Sequence, residues 1–218
     1  MTRFTQRNVG FRISRFTGVD GAALDRDAAA EIASTHGFTQ GALGAAASHQ
    51  LLWKQAAAGA RPLLVFEDDA TLRSDANSSL RQVIGSIRGA WDILLLGFNL
   101  EVPLAATVAG VFVDSRQFPS RPTEADIAVF RTTRSIVLPA RLLSAFGLCG
   151  YAITPRGAHR LSNLCFPMTD RIVHLAGHPP MKVYGLDSMM CAFYSHLDAF
   201  VCFPPITVSP NIDSTTAE

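Results

Sequence analysis

The segment WDILLLGF, residues 91–98, constrains the fold of this chain more than any other, because from Ile93 to Leu96 it is apolar without alternation. A strand with one wet face alternates apolar and polar side chains, so this run reads as a central strand covered on both sides. Residues 39–58, TQGALGAAASHQLLWKQAAA, stack Leu43, Ala47 and Leu51 at i, i+4 and i+8, which predicts a helix buried along that stripe. Gly59 ends it, and Pro62 opens a further strand. FRISRFT (11–17) predicts a strand, followed by turn chemistry in GVDG (18–21) and a short helix over 24–34. A helix over 78–87 turns Leu80, Val83, Ile84 and Ile87 to one face. CGYAIT (149–154) predicts a strand, and the next helix starts cleanly with Thr154 as N-cap and Pro155 at its first position. Ala158, Leu161 and Leu164/Cys165 form its apolar stripe, and the tail AFVCFPPITVSP predicts a last strand ending in prolines. Between 99 and 140 only short strand-like runs occur (GVFVD, IAVF, SIVLP), so an irregular excursion is expected. Strands alternating with helices, with no linker between them, predict one α/β domain over residues 1–218 with a mostly parallel central sheet flanked by helices.

Composition narrows the function classes. A chain of 218 residues is ample for a substantial core. Lys+Arg 19 against Asp+Glu 18 leaves a net charge of +1, so no global basic field recruits nucleic acid. A hydrophobic content of 48% and a mean hydropathy of +0.21 suit a buried sheet and a face that works beside a membrane. The best candidate for a membrane span, residues 136–153, is broken by Pro139, Arg141, Ser144 and two glycines, short of the ~20 apolar residues required. MTRFTQRNVG lacks the apolar region of a secretory signal. Cys149, Cys165, Cys191 and Cys202 show no metal or disulfide spacing and read as small buried hydrophobes of a reduced, cytoplasmic protein. His174 and His178 stand at helical i, i+4 spacing, but Gly177 and HPP argue for a loop rather than a metal-binding helix.

RPLLVFEDDAT, residues 61–71, drives the apolar run Leu63–Phe66 straight into Glu67, Asp68 and Asp69. Adjacent carboxylates repel and lose hydration at a strand end, so a positive partner is expected there, a basic side chain or a metal ion. In α/β sheets ligands bind at the carboxyl ends of strands, where this triplet stands. If the strand persists through it, alternation puts Glu67 and Asp69 on one side and Asp68 on the other. Two converging carboxylates suit Mg²⁺ or Mn²⁺, hard cations that keep waters or substrate phosphates as their other ligands. The competing reading is a strand-end turn whose carboxylates cap the next element or pair with Arg73. The triplet alone does not decide between them.

Six segments in chain order carry a further pattern: GVDG (18–21), GALGAAASHQLLWK (41–54), LLVFEDDATL (63–72), WDILLLG (91–97), GYAITPRGAHRL (150–161) and GLDSMM (185–190). Together, over roughly residues 11–214, they resemble glycosyltransferase family 25, which includes bacterial lipooligosaccharide glycosyltransferases and the collagen galactosyltransferases. The resemblance implies a GT-A-like, Rossmann-related fold. It also implies transfer of a sugar, galactose by default, from a UDP-sugar donor to a hydroxyl of a lipooligosaccharide or other surface glycan, with inversion at the anomeric carbon. The implied cofactor is Mn²⁺ or Mg²⁺, and the implied place is cytoplasmic, at the inner face of a bacterial membrane.

Residue by residue, Glu67 and Asp69 match the outer acidic positions of the family's DxD-type metal site, Asp69 as principal ligand, while Asp68 is assigned to ribose or to groups behind the ligands. An inverting transfer needs a general base at the acceptor hydroxyl. Asp187 matches an aspartate that recurs late in the family, and it reads equally well as a helix N-cap. His49, in the Ser48-His49 pair, is a candidate contact for phosphate or acceptor, against the plainer role of packing in an alanine-rich helix. Tyr151 and Arg156 border the expected cleft, with Arg156 facing phosphate from a helix N-terminus.

Two departures matter. The family opens with an apolar strand, arginines and a helix before its DG turn, whereas only MTRFTQRNV precedes FRISRFT here. The expectation is an N-terminally shortened copy, or another segment in that strand's place, with an open sheet edge and weakened donor binding. Ala46 stands where the family usually has cysteine, a change of packing. These departures keep an inactive relative that serves as a binding or assembly protein as the alternative; a metal-dependent hydrolase lacks any nucleophile constellation.

Overall fold

The computed structural model describes residues 11–210 except 109, 119 and 177. Its strands are β1 (Leu63–Phe66), β2 (Thr71–Leu72), β3 (Ile93–Leu95), β4 (Leu104–Val108), β5 (Phe112–Arg116), β6 (Leu138–Ser144), β7 (Gly150–Ile153), β8 (Ile172–Val173), β9 (Met181–Lys182), β10 (Ala199–Phe203) and β11 (Thr207–Val208). The α-helices are α1 (Arg26–Ile32), α2 (Gln40–Ala58), α3 (Ala76–Ser86), α4 (Glu124–Thr132), α5 (Pro155–Cys165) and α6 (Leu186–Cys191). Seven strands form the main sheet in the order β1-β7-β3-β10-β6-β4-β5, while β2 pairs with β11 and β8 with β9. No helix among the described residues is long and apolar enough to cross a membrane.

The WDILLLGF run is the central strand its pattern demands: Ile93, Leu94 and Leu95 of β3 are fully buried between β7 and β10. The sheet, however, is mostly antiparallel. Only β3 and β10 run parallel as neighbours; β1/β7, β7/β3, β10/β6, β6/β4 and β4/β5 are antiparallel. Alternation of strands and helices along a chain does not say which strands become neighbours. Here β7 inserts between β1 and β3 and converts what would be a parallel pair into two antiparallel ones. As a result β1, β3, β10 and β4 all point the same way, and their C-terminal ends lie at one end of the sheet. Glu67 follows β1 at that end.

Helix α5 begins as read, with Thr154 Oγ1 accepting from Gly157 N at 3.0 Å and Ala158, Leu161 and Cys165 buried. Helix α2 also forms, but its buried stripe is rotated from the expected one. Leu51 is 45% exposed, while Ala42, Ala46, His49, Trp53 and Ala56 face inward. In an alanine-rich helix small side chains give little contrast between faces, and close packing decides: α2 lies along α5, with Trp53 against Phe166 at 5.7 Å between ring centroids. The GVDG turn rests on the first turns of α2. A Cβ on Gly44 would stand 2.6 Å from Val19 O, and one on Gly21 1.8 Å from Gln40 O. Ser48 closes this contact, accepting from Val19 N at 2.8 Å and donating to Gly44 O at 2.7 Å.

Two other expectations change. Residues 11–17 form no strand, though Phe11 packs edge-on against Phe66 at 5.7 Å. Within 99–140 regular elements interrupt the expected irregular excursion: GVFVD supplies the turn and the first residues of β5 in the β4–β5 hairpin, and IAVF lies within helix α4. A reciprocal cap between Thr123 and Asp126 starts α4 there and outweighs the β-preference of Ile127 and Val129. The N-terminal MTRFTQRNVG reading, Gly177 and everything after residue 210 fall outside the described residues. All four cysteines are buried and free.

Candidate active site

Strand β1 stops at Phe66, and the carboxylates occupy a tight turn, with Ala70 N donating to Glu67 O at 3.2 Å. The strand alternation that would have aimed Glu67 and Asp69 together therefore does not operate; the turn places them. Glu67 N is tied to Cys149 O at 3.2 Å. Beyond the turn, β2 pairs with β11, and Thr207 Oγ1 donates to Thr71 O at 3.1 Å. This two-stranded ribbon brings the hydroxyl of Ser209 onto Asp69 Oδ2. The ribbon needs room across the ends of β3 and β7. A Cβ on Gly97 would stand 2.0 Å from Thr207 O, and one on Gly150 2.6 Å from Thr207 Cγ2.

Asp69 Oδ1 is buried with no hydrogen-bond partner. Burial pushes the Asp69 carboxyl above its ordinary value; the Ser209 bond pulls it down, and the charges of Glu67 and Asp68 push it up again. Asp68 is exposed. Among the described residues, no lysine or arginine pairs with any of the three. Arg73, the basic partner that the sequence offered, turns away. Its buried guanidinium binds Asp75 through Nε at 2.8 Å and Nη2 at 2.7 Å, and Ser135 Oγ through Nη1 at 2.7 Å.

His49 reaches this turn from helix α2. Its Nε2 lies 3.9 Å from Glu67 Oε1, and its Nδ1 is 2.8 Å from Tyr151 Oη. Trp53 Nε1 donates to the same Tyr151 oxygen at 3.0 Å. Indole nitrogen is a donor only, so Tyr151 accepts from Trp53 and keeps its own proton for His49 Nδ1. This assignment, made from the network, leaves the proton of neutral His49 on Nε2, facing Glu67. Tyr151 is fully buried, and burial raises its phenol far out of the titrating range, Glu67 adding to the shift. His49 is thus held by the core and aimed at the acidic turn.

Asp187 belongs to the same region. It lies in the first turn of α6, where Gly185 and not Asp187 is the N-cap. Its Oδ1 accepts from Ser188 N at 2.7 Å and its Oδ2 from Gly147 N at 3.0 Å. Gly147 has φ +84°, a left-handed backbone that favours glycine. Burial raises the Asp187 carboxyl, the two backbone bonds lower it, and the charge of Glu67 raises it further. Beside it stands Tyr184, 39% exposed and stacked on Phe146 at 6.3 Å with an interplanar angle of 7°. Burial and then the Asp187 charge raise the Tyr184 phenol.

Arg156 does not join this cluster. It follows β7, whose last residue Ile153 is paired with Leu63, the first of β1, so it sits at the opposite end of the sheet from Glu67. There its Nε binds Asp92 Oδ1 at 2.7 Å and its Nη2 binds Asp198 Oδ2 at 2.7 Å. Asp92, wholly buried, also takes Arg160 Nη1 and accepts from Asp198 N at 2.9 Å. A cleft of about 330 Å³ lined by Arg171, His174 and Ser195 shares no residue with the acidic turn. His178 lies 6.0 Å from Phe146, ring to ring.

Comparison with known proteins gives the family. A family model described as glycosyltransferase family 25 (LPS biosynthesis protein) matches residues 2–173. The chain belongs to glycosyltransferase family 25. No curated protein matches it. The family match covers His49, Glu67, Asp68, Asp69 and Tyr151, whereas Asp187 and Ser209 lie beyond its end. Membership implies glycosyl transfer in lipopolysaccharide biosynthesis, with a sugar donor and a glycan acceptor in general terms. Among the described residues, no group of three or more His, Cys, Asp or Glu side chains is arranged to hold a metal ion. The oxygens of the turn that could serve a cation are fewer, those of Glu67 and the unpartnered oxygen of Asp69. Sequence reading passed over Ser209 and Tyr184. For Ser209 the available signals were Gly97 and Gly150, which mark where a backbone crosses closely.

Proposed function

We propose that this family 25 chain transfers a hexose, galactose first among candidates, from a UDP-sugar to a hydroxyl of a lipooligosaccharide or related surface glycan, with inversion. The GT-A-like reading rests on the shared end of β1, β3 and β10 at which the acidic turn stands. The observation that carries the proposal is Asp69: one carboxylate oxygen is fixed by Ser209, and the other is buried and unpartnered in a turn where no arginine or lysine among the described residues balances three carboxylates. An isolated buried carboxylate oxygen is costly unless something binds it.

Glu67 and Asp69 would hold Mn²⁺ or Mg²⁺, with donor phosphate and water as the remaining ligands. When bound, the ion neutralises charge on the leaving diphosphate. Ser209 fixes the rotamer of Asp69, and His49 Nε2–H faces Glu67, limiting its swing. Asp187 acts as general base: its raised proton affinity brings it toward the acceptor hydroxyl it must deprotonate, and the two backbone N–H groups hold its carboxylate in place. Tyr184 offers an exposed aromatic face beside Asp187 on which a sugar ring can rest. Asp68, exposed on the turn, is left for the ribose.

The test is a thermal-shift titration of the purified chain with UDP, UDP-galactose and UDP-glucose, with and without Mn²⁺, alongside Asp69→Asn. Ligand at a hundred times its Kd stabilises by about 2.7 kcal/mol. A metal-dependent shift that vanishes in the variant supports the donor site. A folded protein that shifts with no nucleotide overturns it in favour of a binding or assembly protein.

A further inference from the structure

The five most exposed large apolar side chains among the described residues are Val111 (74%), Ile136 (74%), Phe112 (70%), Val129 (67%) and Leu138 (60%). They come from three separate elements. Val111 and Phe112 form the turn side of the β4–β5 hairpin, Ile136 lies just before β6 and Leu138 opens it, and Val129 lies in α4. Single apolar side chains in solvent need no explanation, but a group of them at one place marks an interaction surface.

Register gathers them. β4 pairs with β6 through Thr107↔Arg141 and with β5 through Val108↔Phe112. The hairpin turn therefore reaches the level of Leu138, which is itself paired with Phe203, the last residue of β10. This is the end of the sheet at which β1 delivers Glu67. A second, independent link fixes the same placement. Arg73, which follows β2 directly after the acidic turn, donates to Ser135 Oγ at 2.7 Å and to Ser135 O at 3.0 Å, and Ser74 N donates to Arg131 O at 2.8 Å.

At the C-terminal end of α4, next to Ile136, the charge is positive. In α4 the acids Glu124 and Asp126 occupy the first turn and Arg131 the last, with Arg134 following before Ile136; both arginines are exposed. On the hairpin, Asp114 and Arg116 neutralise one another at 2.6 Å. Apolar tips with arginines beside them match the acyl boundary and headgroups of an anionic bilayer. We propose that the β4–β5 turn and the α4–β6 junction form a docking surface for an anionic phospholipid membrane, directing the acidic-turn end of the sheet toward an acceptor anchored in that membrane. This rests on the glycosyltransferase reading for its purpose, but not for its test.

The full chain is sedimented with vesicles of phosphatidylethanolamine and phosphatidylglycerol, and with vesicles of phosphatidylcholine alone, at low and high salt. The wild type pellets with the anionic vesicles, more weakly at high salt and with phosphatidylcholine. Val111→Ser/Phe112→Ser weakens the partition about tenfold, and Arg134→Glu about fivefold or more, while all melting temperatures stay within a degree or two because these side chains are in solvent. Failure of the wild type to bind, or binding that the variants leave unchanged, overturns the proposal. So does a wild-type dimer in solution that the double variant converts to monomer, which would make the surface a contact between copies. Vesicle binding needs no donor and no turnover, so its failure leaves the nucleotide titration standing, and failure of that titration leaves membrane docking standing.

Discussion

Ser209 and Asp69, 140 positions apart in the chain, meet through a hydroxyl that donates to Asp69 Oδ2, while Asp69 Oδ1 stays buried and unpartnered. One carboxylate thus has an oxygen set by the fold and an oxygen left for a ligand. The β2–β11 ribbon makes that meeting possible, and the glycines at 97 and 150 let the ribbon lie across the strand ends.

Removing this hydroxyl has a directional consequence. Its bond is what lowers the Asp69 carboxyl against the upward push of burial and of two neighbouring charges. Ser209→Ala therefore raises the proton affinity of Asp69 further. If the ionised form binds the donor complex, the acidic limb of the kcat/KM profile moves to higher pH, while kcat at alkaline pH changes little. A limb that stays put would show that Asp69 is not the group titrating there.

Asp69→Asn separates function from stability. The native carboxyl binds its proton more tightly than the unfolded one. Its contribution to stability is present below the ordinary carboxylate value and is lost as pH rises through the raised native value, above which the buried charge costs stability. The melting temperature of the variant, relative to wild type, should accordingly become more favourable as pH rises above the ordinary carboxylate value, and level off above the raised native one. Transfer activity should fall on the order of a hundredfold or more. A melting difference that is flat across this range would mean that Asp69 has an ordinary pKa in the folded chain.

Local signals were readable and long-range pairings were not. Thr154-Pro155 announced α5 because a cap is chemistry between residues three apart. The unbroken apolar run of β3 announced burial on both faces. Strand direction was misread because it depends on β7 slipping between β1 and β3, and nothing in either strand encodes that neighbour. The face of α2 was misread because alanine packs or faces water with little difference in free energy, and Trp53 with Phe166 settled the matter. In the site, the acidic triplet was conspicuous, but its partners come from far away: Tyr151 bonds His49 across 102 positions. Arg156 looked like a phosphate ligand because it opens a helix; which end of the sheet that helix starts from is set by the antiparallel β1–β7 register.

Tyr151→Phe tests whether His49 is positioned by the core. Truncation leaves Trp53 Nε1–H, and with it His49 Nδ1, without their partner. A buried donor left unsatisfied costs about 1–3 kcal/mol, which urea unfolding would read as a lower midpoint at unchanged slope. Turnover should fall as well, because His49 is then free to leave Glu67. Lost stability with full activity would confine the Tyr151–His49–Trp53 network to a packing role.

Arg156→Ala should leave transfer kinetics unchanged, since its guanidinium is engaged with Asp92 and Asp198 at the far end of the sheet. Stability should fall by only about 1 kcal/mol, because the Arg156 guanidinium is half exposed and Asp92 retains Arg160 and Asp198 N. A raised KM for the donor in this variant would return Arg156 to the binding site and contradict the placement of that site at the Glu67 end.

Gly97→Ala acts on the acidic turn without touching it. The new methyl would stand 2.0 Å from Thr207 O and 2.9 Å from Thr207 Cγ2, closer than any real contact, so the β11 backbone has to move away. Overpacking of this kind costs about 1–3 kcal/mol. Because Ser209 is two residues beyond Thr207, the displacement also draws its hydroxyl off Asp69. Gly97→Ala should therefore shift the acidic limb of the rate profile in the same direction as Ser209→Ala, and the double variant should shift it little further. In a double-mutant cycle on stability, residues that act through one shared contact depart from additivity, whereas independent sites add within about 0.5 kcal/mol. An additive cycle, with separate shifts of the limb, would mean that Gly97 shapes the core alone and that another element positions Ser209 on Asp69.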